Sequence, residues 1–254
     1  MTGLTNDIPQ QVLGIIPARM ASVRFPGKPL ALARGLPMVI RVYEQARKAL
    51  KEVIIATSDD EIIEAAKTFG ASWVKTGASH TSGTSRCLEA LGTFMQNSGQ
   101  HFKAVVNIQG DEPSIRPDMI SMLASEILEP GISIATLAGR ETNPDGFNGP
   151  NRVKVVIGTN GNALYFSRSP IPFRRDPGAA SQAWLSHIGI YAFKTEVLTQ
   201  ICSLEPSALE ISESLEQLRW LENGFKIRCI EQEYQGFGVD TPADLEAYNR
   251  RDIF

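Results

Sequence analysis

Apolar positions along the chain fall into short runs that alternate with stretches of helical spacing. VLGIIPAR (12–19) is an apolar run ending in turn chemistry, the pattern of a strand covered on both faces. Residues 38–50 carry the spacing of an amphipathic helix. KEVIIATSDD (51–60) gives a second strand ending in acids, and EIIEAAKTFGA (61–71) gives a helix closed at Gly70. ASWVKT, SGTSRCLEALGTFMQ, AVVNIQGDEP and RPDMISMLASEIL then supply strand, loop and helix, strand and turn, and helix. Such alternation predicts an open α/β sheet with right-handed crossovers.

After residue 130 the rhythm changes. ISIATLAG, RVKVVIGTNG, ALYFSRSPIP and SHIGIYAFK all read as strands, with turn signals at the Asn-Gly pairs 148–149 and 160–161. EISESLEQLRWLENG reads as one helix stopped at Gly224, KIRCIEQEY as a late strand, and TPADLEAYNRR as a last helix with an N-cap Thr followed by Pro. The expected organisation is one domain over 1–254, with a loose tail at 1–10 and an inserted, more antiparallel arm at about 140–190.

Composition narrows the function classes. Twenty-five basic residues against 28 acidic ones give a net charge of -3, which suggests neither a nucleic-acid nor a membrane-surface partner. No apolar run approaches the roughly 20 residues that span a bilayer. The polar start MTGLTNDIPQQ does not read as a secretory signal. Cys87, Cys202 and Cys229 match no zinc or CxxC spacing and read as reduced thiols of a cytoplasmic protein.

Five segments could carry chemistry. P-A-R-x4-R-F-P-G-K-P places Arg19, Arg24 and Lys28 on one Pro/Gly-rich loop after the first strand, where an open sheet collects ligands. Cations beside freed backbone N–H groups make a triphosphate cradle; neither G-x4-GK[ST] nor GxGxxG occurs there. V-N-I-Q-G-D-E-P delivers Gln109, Asp111 and Glu112 to a strand tip, where carboxylates suit Mg²⁺ shared with phosphate. G-V-D-T-P places Asp240 before the last helix: an ordinary cap region on its own, a second metal carboxylate if it lies beside Asp111. Arg168, Arg174 and Arg175 could grip a carboxylate, and His187 and Tyr191, four apart on a strand, should share a face.

Taken in order, IIPAR, RFPGKPL, SGT-x-R, VNIQGDEP, ALYFSR, HIGIYAF, LEQLR and GVDTP resemble the 3-deoxy-manno-octulosonate cytidylyltransferase family. The resemblance implies a Rossmann-like nucleotide-diphospho-sugar transferase fold, a mixed but mostly parallel sheet with a smaller dimerisation arm, and a homodimer. It implies transfer of CMP from CTP to 3-deoxy-manno-octulosonate (Kdo) or its 8-amino analogue for lipopolysaccharide biosynthesis, with Mg²⁺ as cofactor. By position it gives Arg19, Arg24 and Lys28 to the CTP phosphates, and Ser82, Gly83, Thr84 and Gln109 to cytosine and ribose. Asp111 and Asp240 fall to the metal and, with Lys28, to catalysis. Arg168, Arg175, His187, Tyr191, Glu216 and Gln217 fall to the sugar. An enzyme acting on a nine-carbon, sialic-type acid is the nearest alternative, and HIGIY and LEQLR favour the octulosonate branch. A binding protein without catalysis would not need both aspartates and all three loop cations. Ser79 and Ser85 stand where the family often carries acids.

Overall fold

The computed structural model describes residues 8–22, 24–175, 183–233 and 238–250. Of the expected tail, residues 1–7 lie outside these, and α1 (Ile8–Gln11) leads straight into β1 (Val12–Pro17). A 3₁₀ turn at Lys28–Leu30 and a two-strand hairpin, β2 (Leu32–Ala33) and β3 (Leu36–Pro37), precede α2 (Met38–Arg47). Then come β4 (Glu52–Thr57), α3 (Asp60–Thr68), β5 (Trp73–Lys75), α4 (Gly83–Ser98), β6 (Ala104–Asn107) and α5 (Pro117–Glu126). The second half holds β7 (Ile134–Glu141), α6 (Pro144–Asn148), β8 (Lys154–Ile157), β9 (Ala163–Ser167), β10 (Trp184–Lys194) and α7 (Thr195–Cys202). It closes with α8 (Ala208–Glu213), α9 (Glu216–Glu222), β11 (Ile227–Gln232) and α10 (Pro242–Arg250).

The main sheet runs β11-β7-β10-β6-β1-β4-β5. β1 is parallel to β4 and β6, β4 to β5, and β7 to β11; β10 runs antiparallel between β6 and β7. β8 and β9 form an antiparallel pair attached to β10, within the span expected as an arm. Residues 176–182 of that arm lie outside the described residues.

Alternate residues of β1 explain its unbroken apolar run. Val12 and Ile16 face a core with α2, α3 and α5, whereas Leu13 and Ile15 face a second core with α4, α7 and α9. Both faces are covered, so polar residues have no place on the strand. Gly14 sits where α2 ends against the sheet: a Cβ there would lie 2.9 Å from a Leu50 methyl.

Two expectations change. The single helix over 210–224 is two, because Ser214 adopts a left-handed conformation (φ 50°) between α8 and α9. The Arg168 guanidinium takes the carbonyls of Glu213 and Ser214 at 2.7 and 3.3 Å, and so satisfies acceptors that the end of α8 leaves open. On β10, pairing with β7 shifts between Ile188 and Tyr191, so Gly189 and Ile190 form a bulge. His187 and Tyr191 share a face as expected, but they stand opposite Ala138 and Thr136 and act as neighbours two apart, with ring centroids 5.2 Å from each other.

Candidate active site

The loop after β1 is fixed at both ends. Ala18 N–H donates to Ala56 O (2.9 Å), Met20 N–H to an Asp59 carboxylate oxygen (2.6 Å), and Gly27 N–H back to Met20 O (3.2 Å). Gly27 has φ 73°, a conformation glycine adopts without strain, and it turns the chain into the 3₁₀ turn that begins with Lys28. The Lys28 side chain is 12% exposed, and its Nζ lies 2.5 Å from Asp111 Oδ2 and 3.4 Å from Asp240 Oδ1. Arg24 Nη2 reaches the same Asp240 oxygen at 2.9 Å. Two cations and two carboxylates expected from separate motifs thus meet at one point.

A cleft of about 370 Å³ opens beside them, between the β1 loop, the exit of β6 and the start of α4. Arg19, Arg24, Lys28, Ser82, Gly83, Gln109 and Asp111 line it. Ser82 caps α4, its hydroxyl accepting from Ser85 N–H at 3.2 Å, so the positive end of a long helix faces the cleft. Gly110 lets β6 pass close to β1: a Cβ there would stand 3.3 Å from Pro17 O. Thr84 points elsewhere. It is buried, and its hydroxyl donates to Glu216 Oε2 at 2.6 Å, tying α4 to α9.

Sequence reasoning passed over three residues of this wall, His80, Thr81 and Arg86. Arg86 is 4% exposed, and Nη1 donates to Thr76 Oγ1 (2.5 Å) and Gly77 O (3.1 Å), both neutral. Burial lowers its pKa, Asp59 and Glu89 partly offset this, and Arg19 adds to it. A guanidinium remains charged at any working pH, so a buried cation faces the cleft. The arginine of SGT-x-R was its only signal. His80 is held by Ser85 Oγ at Nδ1 (3.1 Å) and by the Glu89 carboxylate at Nε2. Glu89 also accepts from Gly77 N–H, and the His80 bond holds its carboxyl below the usual range. Ser85, a departure from the family pattern, therefore helps to fix this wall.

A second cleft of about 450 Å³ lies on the other side of the ion pairs, lined by Arg24, Pro150, Asn151, Val153, Arg168, Ser214 and Asp240. Arg168 is anchored to main-chain carbonyls at Glu213, Pro150 (3.0 Å) and Ser214. Among the described residues its guanidinium meets no carboxylate, so no anion there pairs with its charge. The buried Lys154 braces the same wall by donating to Gly149 O, Arg152 O and Arg168 O. Arg175 is exposed at the edge of the described residues, and Arg174 packs over the Phe147 ring at 4.2 Å.

The remaining sugar candidates lie deeper. His187 is enclosed by Phe166 and Tyr191 and shares a hydrogen bond with Thr136 Oγ1 (3.1 Å). Desolvation pushes its pKa down to about 3, so the ring is neutral. Burial raises the Tyr191 phenol well above its usual range, and among the described residues the Gln217 side-chain amide nitrogen has no hydrogen-bond partner. Asn107, directly across from Tyr191, leaves its amide oxygen unpartnered too. Buried polar atoms are nearly always paired, so this group of side chains suits a polyhydroxylated ligand.

A mostly parallel sheet with a cationic loop, a facing helix N-terminus and a carboxylate pair is an arrangement suited to nucleotidyl transfer. Comparison with known proteins agrees. The cytidylyltransferase family model matches residues 13–227. Proteins named 3-deoxy-manno-octulosonate cytidylyltransferase in Parabacteroides distasonis and Bacteroides thetaiotaomicron are each 47% identical, over 92% of this chain and 95% of theirs. A solved structure described as CMP:2-keto-3-deoxy-manno-octonic acid synthetase complexed with CTP superposes with a TM-score of 0.86 at 40% identity, covering 94% of this chain and 97% of that one. The chain belongs to the 3-deoxy-manno-octulosonate cytidylyltransferase family, and it is a nucleotidyltransferase.

Proposed function

We propose that the protein transfers CMP from CTP to the anomeric hydroxyl of Kdo and releases pyrophosphate. The observation that carries this reading is the junction of the two clefts. Arg24 lines both, and Lys28 reaches from Asp111 in the first to Asp240 in the second. CTP takes the first cleft, with its phosphates on Arg19, Arg24, Lys28 and Arg86. The acid sugar takes the second, its carboxylate on Arg168 and its hydroxyls toward Tyr191, Glu216 and Gln217. The anomeric oxygen bonds to the α-phosphorus, the bond from that phosphorus to the bridging oxygen of the β-phosphate breaks so that pyrophosphate leaves with that electron pair, and the hydroxyl proton passes to solvent water. Such chemistry runs on positioning and charge neutralisation, to which these side chains contribute, and needs no covalent enzyme intermediate.

Asp111 and Asp240 fit Mg²⁺ by the chemistry of their donors. Two carboxylates converge on one cation, Lys28, and Mg²⁺ takes one or two carboxylates together with phosphate and water. Among the described residues no group of three or more His, Cys, Asp or Glu gathers as a metal cluster, so the nucleotide would complete the ligand set. When bound, the ion would lower the pKa of the attacking hydroxyl and offset phosphate charge.

We also place the enzyme in the cytoplasm, where CTP is made, and read it as a homodimer. Phe173 (86% exposed), Ile211 (69%) and Leu164 (63%) support the dimer, because large exposed apolar side chains suit a contact surface. No helix among the described residues is long and apolar enough to cross a membrane. Pyrophosphate release with CTP should be fastest for Kdo or its 8-amino analogue and slow for a nine-carbon sialic acid or a neutral aldose. A faster reaction with the sialic acid overturns the sugar assignment; no reaction with any acid sugar overturns the activity. Sedimentation analysis tests the dimer.

A further inference from the structure

Asp240 reaches the metal-site position on no strand. It precedes α10, and what holds that helix decides where the carboxylate stands. Thr241 and Asp244 form a cap: Asp244 Oδ2 accepts from Asp240 N–H (3.1 Å), Thr241 N–H (2.9 Å) and the Thr241 hydroxyl (2.8 Å), while Asp244 N–H donates to Thr241 Oγ1 (3.2 Å). The cap fixes Asp240 to the helix rather than to the sheet.

The helix is then tied to both other parts of the site. Toward the strand tip, the Tyr248 hydroxyl donates to Pro113 O (3.2 Å), and Val239 N–H donates to Asp111 O (2.8 Å). Toward the phosphate loop, Asn249 bridges the hairpin that follows it, with Oδ1 accepting from Arg34 N–H (2.8 Å) and Nδ2 donating to Leu32 O (3.1 Å). Arg34 is held in a left-handed conformation (φ 51°) unusual for a residue with a side chain. From there its guanidinium stacks 5.0 Å over the Tyr248 ring and donates to Tyr248 O. A small separate core of Ala33, Met38, Val239 and Tyr248, with Phe25 and Leu245 against it, fills the space between. Phe25 lies between Arg24 and Lys28, so this core joins the loop that carries both cations to the segment that carries Asp240.

We propose that α10 is a positioning element for the carboxylate pair, and that Tyr248 and Asn249 set the place of Asp240 relative to Asp111 and Lys28. Neither residue lines either cleft; each acts through a ligand. The proposal rests on the metal reading of Asp111 and Asp240. Partners that orient metal ligands contribute roughly 10- to 100-fold to metal affinity or activity.

The test uses the full-length enzyme with Tyr248→Phe, Asn249→Ala, their combination, Asp240→Asn, and Arg250→Ala as a control on the same helix. Calorimetric titration of Mn²⁺ in the presence of CTP, without sugar, reads the site directly. Half-saturating Mg²⁺ in pyrophosphate release and the thermal unfolding midpoint accompany it. The double variant should bind Mn²⁺ about 10-fold more weakly and need correspondingly more Mg²⁺, while Arg250→Ala matches the parent. Mn²⁺ affinity within twofold of the parent in the double variant, beside a clear loss in Asp240→Asn, overturns the positioning role alone. Lost activity with unchanged metal affinity and a lowered midpoint overturns it as well, in favour of a structural role. Equal Mn²⁺ binding by parent and Asp240→Asn sinks the metal reading, and the proposal with it.

Discussion

Replacing Lys28 by Ala should change CTP use and metal requirement in opposite directions. Its ammonium is almost enclosed and lies against both aspartates, 2.5 and 3.4 Å away. Charge-assisted hydrogen bonds contribute about 1.5–3 kcal/mol each, and each 1.36 kcal/mol is a factor of ten. If Lys28 moves from the aspartates to the triphosphate in the reaction, kcat/KM for CTP should fall about 10- to 150-fold in Lys28→Ala. The free enzyme changes the other way. Asp111 and Asp240 lose the cation between them and keep Arg24 alone, so a divalent ion no longer competes with an ammonium. Both carboxylates are more than a third exposed, so screening limits that gain to at most about 1 kcal/mol, or roughly fivefold. Pyrophosphate release at varied CTP and Mg²⁺ measures both effects, with KM for the sugar as the internal reference. Lys28→Arg keeps the charge but not the compact ammonium, and should fall between the two. An unchanged kcat/KM together with a raised Mg²⁺ requirement would falsify the assignment and leave Lys28 as a structural tie between the aspartates.

Arg86→Ala should raise KM for CTP at least about 10-fold while the protein gains stability or holds it, since a buried charge that Asp59 and Glu89 offset only in part is removed; a large fall in the unfolding midpoint with normal KM contradicts this. Arg168→Ala should weaken discrimination between Kdo and a neutral sugar of equal length and also lower the midpoint, because three carbonyls lose their donor; unaltered selectivity removes it from the sugar site. The depressed pKa of His187 gives a stability window of known sign. The unfolded chain, at the ordinary value near 6.5, binds a proton that the folded ring refuses until about pH 3. Its contribution is therefore intact above about pH 6.5 and lost progressively toward pH 3, and His187→Gln should flatten that slope in acid-unfolding curves. A wild-type slope in the variant would show that the ring is not desolvated in solution.

The parallel half of the fold was open to sequence reading because β1, β4 and β6 are covered on both faces, which leaves continuous apolar runs bounded by turn residues. The charged groups were equally legible, since they stand where each strand hands over to a loop. Spacing along the chain could not give contacts made across it. Thr84 sits in a motif beside Ser82 and Gly83, yet helical geometry turns it about a third of the way round the axis, toward Glu216. The break at Ser214 was hidden because the Arg168 guanidinium, which takes up its carbonyl, lies 46 residues earlier. Arg86 stood in plain view within SGT-x-R, but only the fold shows that its hydrogen bonds go to neutral groups and that it forms no ion pair among the described residues. The same logic separates the two arginines offered to the sugar. Arg168 is immobilised by neutral carbonyls and keeps its charge for a ligand, whereas Arg175 lies exposed at the boundary of the described residues. A fixed, uncancelled guanidinium loses little freedom when an anion arrives, and an exposed one must be ordered first. Of the two, Arg168 is therefore the residue whose loss should be felt most in the choice between acid and neutral sugars.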